Sequence, residues 1–142
     1  MKNKKNIYFL IFTIILVVSL IVLEKPYHTD KPYYAKRIFK SERAFGDDYF
    51  DIYEIKSKKD EKIDGKSIDD NYYKEVKRFK TMMSTYESEI DNYNDLCDSI
   101  DSLEKKPNTV YSFEENIDKH GHRTMYIFNS DLGIGYIFDF QI

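Results

Sequence analysis

DDNYYKEVKRFKTMMSTYESEIDNYNDLCDSIDSLE, residues 69–104, decides the fold. Apolar side chains recur alternately four and three residues apart, at Tyr72, Val76, Phe79, Met83, Tyr86, Ile90, Tyr93, Cys97 and Ile100. That spacing places them on one face of a helix, so the stretch reads as one long amphipathic helix. Asp69 and Asp70 suit its amino-terminal end, where unpaired N–H groups and the positive end of the dipole favour an acceptor. Lys105, Lys106 and Pro107 suit its close. A sustained heptad admits a second helix as partner. Against that, Tyr72, Phe79, Tyr86 and Tyr93 occupy one of the two heptad positions, and rings of that bulk pack better on a sheet. Asn92 or Asn94 marks a place where the helix would break, because Asn favours caps and turns.

Charge divides unevenly along the same stretch. Its first part carries Lys74, Lys77, Arg78 and Lys80 against Asp69, Asp70 and Glu75. From Ser84 onward it carries Glu87, Glu89, Asp91, Asp95, Asp98, Asp101 and Glu104 and no basic residue. An antiparallel helix pair would set basic half against acidic half. A cationic partner would also suit the acidic residues, of which Glu87, Asp91, Asp95, Asp98 and Asp101 are the interaction candidates; a solvated outer face explains them without one.

Beyond the helix, three strands are expected at Thr109–Glu114, Arg123–Asn129 and Ile134–Gln141. The last alternates most clearly: Ile134, Tyr136, Phe138, Phe140 and Ile142 share one face, and Gly135, Ile137, Asp139 and Gln141 share the other. Asn129-Ser130-Asp131-Leu132-Gly133 is a hairpin connection with Gly available for a positive φ. Before the helix, Asp48–Lys56 is rich in aromatic and branched residues and reads as a strand, and Ser57–Gly65 reads as a charged loop. Tyr33–Arg43 reads as a short helix begun by Pro32. The expected fold is α+β, with an antiparallel sheet of about four strands and one long helix, in the order strand, helix, three-strand meander.

The amino terminus is different in kind. Residues 7–23 are seventeen uncharged, mostly apolar residues after Lys2, Lys4 and Lys5. A span needs about 20 such residues with a lower limit near 17, so the run predicts a transmembrane anchor. The preceding lysines orient residues 1–6 to the cytoplasm and the remainder outside. A cleaved secretory signal is the alternative, though branched residues stand where small ones are needed before a cut. Residues 24–32 form a linker bracketed by Pro26 and Pro32, and residues 33–142 form one extracytoplasmic domain. All three lysines of the start count among the 22 basic residues, so the outer part holds 19 against 25 acidic ones, which disfavours a nucleic-acid partner. Cys97 is the single cysteine; no internal disulfide forms, and its place on the apolar stripe favours a buried thiol.

The turn Phe45-Gly46-Asp47-Asp48, the strand Val110-Tyr111-Ser112-Phe113 and the hairpin from Tyr126-Ile127-Phe128-Asn129-Ser130-Asp131 to Gly135-Tyr136-Ile137-Phe138-Asp139-Phe140 resemble uncharacterised, membrane-anchored small proteins of low-GC Gram-positive bacteria. The resemblance implies the same membrane address and supplies no activity, cofactor or catalytic residue.

Chemical motifs are few. His120 and His122 flank Gly121 and, with Asp118, offer donors to a transition metal, yet fall short of a three- or four-ligand set and are explained by a hairpin turn. Asp60-Glu61-Lys62-Ile63-Asp64-Gly65 begins like a calcium loop but places Lys62, Ile68 and Asn71 where oxygen ligands belong. Asp47, Asp48 and Asp51 cluster around the first strand, where turn chemistry accounts for the first two. No nucleophile elbow, phosphate loop or zinc-helix motif is present. The expected function is therefore a non-catalytic, membrane-anchored interaction module of the envelope that engages another envelope protein. The alternatives are a scaffold that pairs with a second copy of itself through 69–104, and an envelope enzyme or metal binder using His120 and His122.

Overall fold

In the computed structural model, residues 31–43, 48–58, 61–116 and 121–141 are described; the predicted anchor at 7–23 and residues 24–30 of the linker lie outside them. Among the described residues no helix is long and apolar enough to cross a membrane. The elements run β1 (Tyr33–Lys40), β2 (Tyr49–Ser57), β3 (Lys66–Ser67), α1 (Asp70–Thr85), α2 (Tyr93–Glu104), β4 (Thr109–Asn116), β5 (His122–Asn129) and β6 (Ile134–Gln141). The strands form one antiparallel sheet in the order β1-β2-β6-β5-β4-β3. The carboxyl-terminal strand joins the two halves: β6 pairs with β2 from Tyr49↔Gln141 to Lys56↔Ile134 and with β5 on its other side.

This architecture corrects the four-strand, one-helix expectation: the sheet has six strands, with β1 and the two-residue β3 added to the four expected, and there are two helices. Residues 33–40 are strand, not helix. Pro32 misled because a Pro suits the first position of a helix and the start of an edge strand equally well. What decides is the partner: β2 offers an alternating aromatic and branched edge, and β1 pairs along it from Tyr33↔Ser57 to Lys40↔Asp51. The register shifts between Arg37 and Phe39. A bulge there swaps the faces, so Tyr33 and Ala35 point to one side of the sheet while Phe39, opposite Ile52, points to the other.

The second correction is the helix. A straight helix of 36 residues would run about 54 Å, whereas an eight-residue strand covers only about 26 Å, so much of its apolar face would overhang the sheet. The chain instead turns back after Thr85. Ile90 N–H donates to Tyr86 O at 3.0 Å, and Asn92 sits in the left-handed region at φ 53 before α2 begins. The turn also shifts the phase of the stripe. Tyr72, Val76, Phe79 and Met83 of α1 are buried as the spacing predicts, but α2 buries Leu96, Ile100 and Leu103, leaving Tyr93 and Cys97 half-buried.

Folding back places the basic half of the stretch against the acidic half within one chain. Lys80 Nζ lies 2.8 Å from Asp101 Oδ1 and 2.7 Å from Glu104 Oε1, and the Tyr72 hydroxyl donates to Glu104 Oε1 at 2.7 Å. Burial alone would pull the Lys80 ammonium down, but its hydrogen bonds to the two carboxylates outweigh that and hold it above its ordinary value. At the start of α1, Asp69 Oδ1 caps Tyr72 N at 2.9 Å and accepts from the Tyr111 hydroxyl at 2.7 Å, which ties the helix to β4. Both contacts, the Tyr111 bond foremost, hold the Asp69 carboxyl below its ordinary value. The fully buried Asn129 ties the other end: its amide donates to Pro107 O and Thr109 Oγ1, each at 2.8 Å, and Gly133 closes the hairpin at φ 65.

Both helices cover the same face of the sheet. Phe50, Ile52, Met125, Ile127, Phe138 and Phe140 from the strands meet Tyr72, Phe79, Met83 and Ile100 from the helices in the main core. Phe79 centres it, with ring centroids 5.1 Å from Phe140 and 5.7 Å from Phe138. Each such side chain contributes about 1.5–3 kcal/mol by leaving water.

Candidate functional site

The other face of the sheet is graded from end to end. At one end Ala35, Ile55 and Phe128 form a second, smaller core, and Ile63 of the 61–65 segment folds over them with 3% exposure. The charged loop expected here therefore also carries one apolar plug. Gly135 lies between Ile55 and Phe128 in the register, where a Cβ would collide with Ile127 O and the Phe128 backbone. Toward the other end no element covers the sheet among the described residues, and the face opens into a cavity of about 480 Å³.

Cross-strand register explains the walls. One row runs Tyr53, Ile137, Tyr126, Ser112 across β2, β6, β5 and β4. The next runs Asp51, Asp139, Thr124, Glu114, and Tyr49, Gln141 and His122 lie beyond it. Tyr33 and Ala35 of β1 add one side and Lys31 the rim; the small Ala35 leaves room that a larger residue would fill. The lining is thus half-buried tyrosines and one isoleucine in the middle, with polar side chains gathered at the open end.

Asp51 and Asp139 face each other directly across β2 and β6, an unfavourable placement for like charges unless each is compensated. Asp51 is 2% exposed, and its Oδ2 lies 2.8 Å from Arg43 Nη2, 3.6 Å from Arg37 Nη1 and 3.4 Å from the Tyr53 hydroxyl. Its Oδ1 is buried with no donor among the described residues. Asp139 Oδ1 lies 2.7 Å from His122 Nε2 and accepts from Thr124 Oγ1 at 3.0 Å, while Oδ2 accepts from the Tyr49 hydroxyl at 3.3 Å. The Arg43 guanidinium stacks 4.2 Å over the Tyr49 ring, which lies 6.3 Å from the His122 ring. Burial first, and then the Asp139 carboxylate, push the Tyr49 hydroxyl far above its ordinary value, and burial chiefly raises Tyr53 and Tyr126 as well. These phenols remain protonated donors across the physiological range.

The hydroxyls of this cluster are spent on a carboxylate rather than set against a base. Thr124 and Tyr49, the hydroxyls that share Asp139 with His122, both give their protons to that carboxylate and not to the imidazole. Of the metal candidates, His122 lies on the cavity wall committed to Asp139, and Asp118 and His120 lie outside the described residues. Among the described residues no three His, Cys, Asp or Glu side chains converge as a metal site. Of the interaction candidates, Glu87, Asp91, Asp95 and Asp98 are exposed in the turn and on α2, and Asp101 is held by Lys80. The cavity brings none of these five together.

Sequence reasoning missed Tyr49, Tyr53, Thr124, Tyr126 and Asp139 as site residues. A signal existed: one alternate set in β2, β5 and β6 mixes Tyr with Asp, His and Thr, whereas a merely wetted face is dominated by mobile charged side chains. Only the register shows that these sets are neighbours. No family model, curated protein or solved structure matches this chain.

Proposed function

We propose that this protein is a membrane-anchored, extracytoplasmic binding module that acts without catalysis and holds a small ligand in the cavity on the sheet face opposite its helices. The observation that carries the reading is the cavity itself. Its volume of about 480 Å³ falls within the range of about 300–1,000 Å³ usual for ligand sites, and its lining combines aromatic area with a few convergent polar groups. The apolar run 7–23 behind three lysines supports the anchor and its direction, and the resemblance to small membrane-anchored proteins agrees with that address. The stripe 72–100, which a self-pairing scaffold would use, lies largely buried against the chain's own sheet.

Native mass spectrometry of the full chain extracted from its own membrane tests the proposal. Wild type is expected to carry a bound small molecule, and Ser112→Trp, which fills the cavity from β4, is expected to lose it with unchanged circular dichroism. An empty wild type, or equal occupancy in both proteins, refutes the assignment of this cavity. Extraction at alkaline pH should leave the full chain in the membrane pellet; release into the supernatant refutes the anchor.

A further inference from the structure

We infer that the cavity takes a saccharide ring, stacked on Ile137 between Tyr53 and Tyr126 with its hydroxyl edge toward Thr124, His122 and Gln141. The inference rests on the binding-module reading and adds the ligand's chemistry.

Charge excludes the first alternative. The carboxylate of Asp139 is already met by His122, Thr124 and Tyr49, and that of Asp51 by Arg43 and Arg37. At the rim, Lys31 and Glu114 carry opposite signs. A charged ligand would lose its hydration here and meet no uncompensated countercharge, which costs more than the cavity returns. A purely apolar ligand fares no better. It would strip water from His122, Thr124 and Gln141 and supply no hydrogen bond in exchange.

What fits is a ligand with one apolar face and one edge of hydroxyls that both donate and accept. Tyr53 and Tyr126 sit on the two strands flanking Ile137, opposite it in the register. Neighbouring strands lie about 4.8 Å apart, so the two tyrosines stand about 10 Å apart at their backbones and frame a slot one ring wide. Along β6 the side chain after Ile137 on this face is Asp139, held by Thr124, and the one after that is Gln141, beside His122. Apart from Ser112 at the β4 end of the apolar row, polar groups therefore gather along one edge of the slot. The C–H face of a sugar lies flat on the apolar row, and its hydroxyls reach the Gln141 amide and the His122 nitrogen not used by Asp139.

Saturation-transfer NMR tests this on the full chain in phosphatidylglycerol nanodiscs, a lipid that brings neither sugar nor choline. Maltotriose and tri-N-acetylchitotriose are the neutral probes and choline is the cationic one. At least one saccharide should bind saturably, with transfer strongest at ring C–H protons. Tyr126→Ala should weaken it about tenfold, equivalent to about 1.4 kcal/mol, while Tyr126→Phe, which keeps the ring, and Tyr73→Ala, an exposed site on α1, should not. Choline binding with both saccharides silent overturns the saccharide inference and leaves the binding module standing. Silence of all three probes overturns the saccharide inference, and occupancy in the native mass spectrum then judges the module separately. Equal weakening by Tyr126→Phe and Tyr126→Ala also overturns it, because the ring face would not be the contact.

Discussion

Asn92 separates the folded-back helix pair from the continuous helix that the apolar spacing suggests, because the two arrangements respond to substitution with opposite sign. Its backbone holds φ 53 and ψ 42, and its side chain makes no capping hydrogen bond. A residue with a Cβ in this region costs about 1–2 kcal/mol, and Asn tolerates it better than Ala because its short polar side chain bonds locally. Asn92→Ala should therefore destabilise the protein by about 1 kcal/mol, with no cap lost to confuse the accounting. Asn92→Gly should leave stability unchanged or raise it by a few tenths of a kcal/mol. In a continuous helix the order reverses: Ala exceeds Asn in helix propensity by about 0.7 kcal/mol, and Gly is worse than both. Urea unfolding of the full chain in micelles, followed by far-ultraviolet circular dichroism, reads the difference as a midpoint shift at constant slope. A midpoint raised by Asn92→Ala and lowered by Asn92→Gly would refute the turn.

The buried Asp51 makes a second test: Arg43→Met leaves that carboxylate with Arg37 at 3.6 Å and the Tyr53 hydroxyl at 3.4 Å and should cost about 3 kcal/mol, whereas adding Asp51→Leu should recover most of it; a double variant no more stable than the single one refutes the pairing. Alkaline pH makes a third. Burial, then the Asp69 hydrogen bond, push Tyr111 up to about 12, against 10.0 ordinarily, and burial with Glu104 pushes Tyr72 higher still. Because the folded values are raised, this stabilisation is complete below about pH 10 and is lost as pH climbs toward the folded values, where the unfolded chain binds fewer protons. Unfolding midpoints should fall between about pH 10 and pH 12, and Tyr111→Phe should flatten that fall; an unchanged slope would remove Tyr111 as its source.

Elements whose two faces differ strongly were legible from sequence. In β6, Phe138 and Phe140 alternate with Asp139 and Gln141, and the structure buries the first pair in the main core. The α1 stripe from Tyr72 to Met83 was legible for the same reason, since a period of 3.6 residues survives whatever the helix packs against. Segments with mixed faces were not. Residues 33–40 place aromatic and branched side chains on both sides of a bulge, so no single period runs through them.

The sequence by itself determined which side chains must leave water, which local period carries them, and that a charged domain without an internal disulfide follows an apolar amino-terminal run. Those properties depend on residues a few positions apart. Tertiary structure decided where the helix folds back, because the sheet is too short to cover a continuous one, and it decided the cavity. Tyr53, Ile137 and Tyr126 are far apart in the chain and become one row only when β6 pairs with β2 on one side and β5 on the other. Register is set by the whole sheet's hydrogen bonding and by burial of its helix-covered face, so no local pattern in any one strand specifies which polar residues will meet on the opposite face.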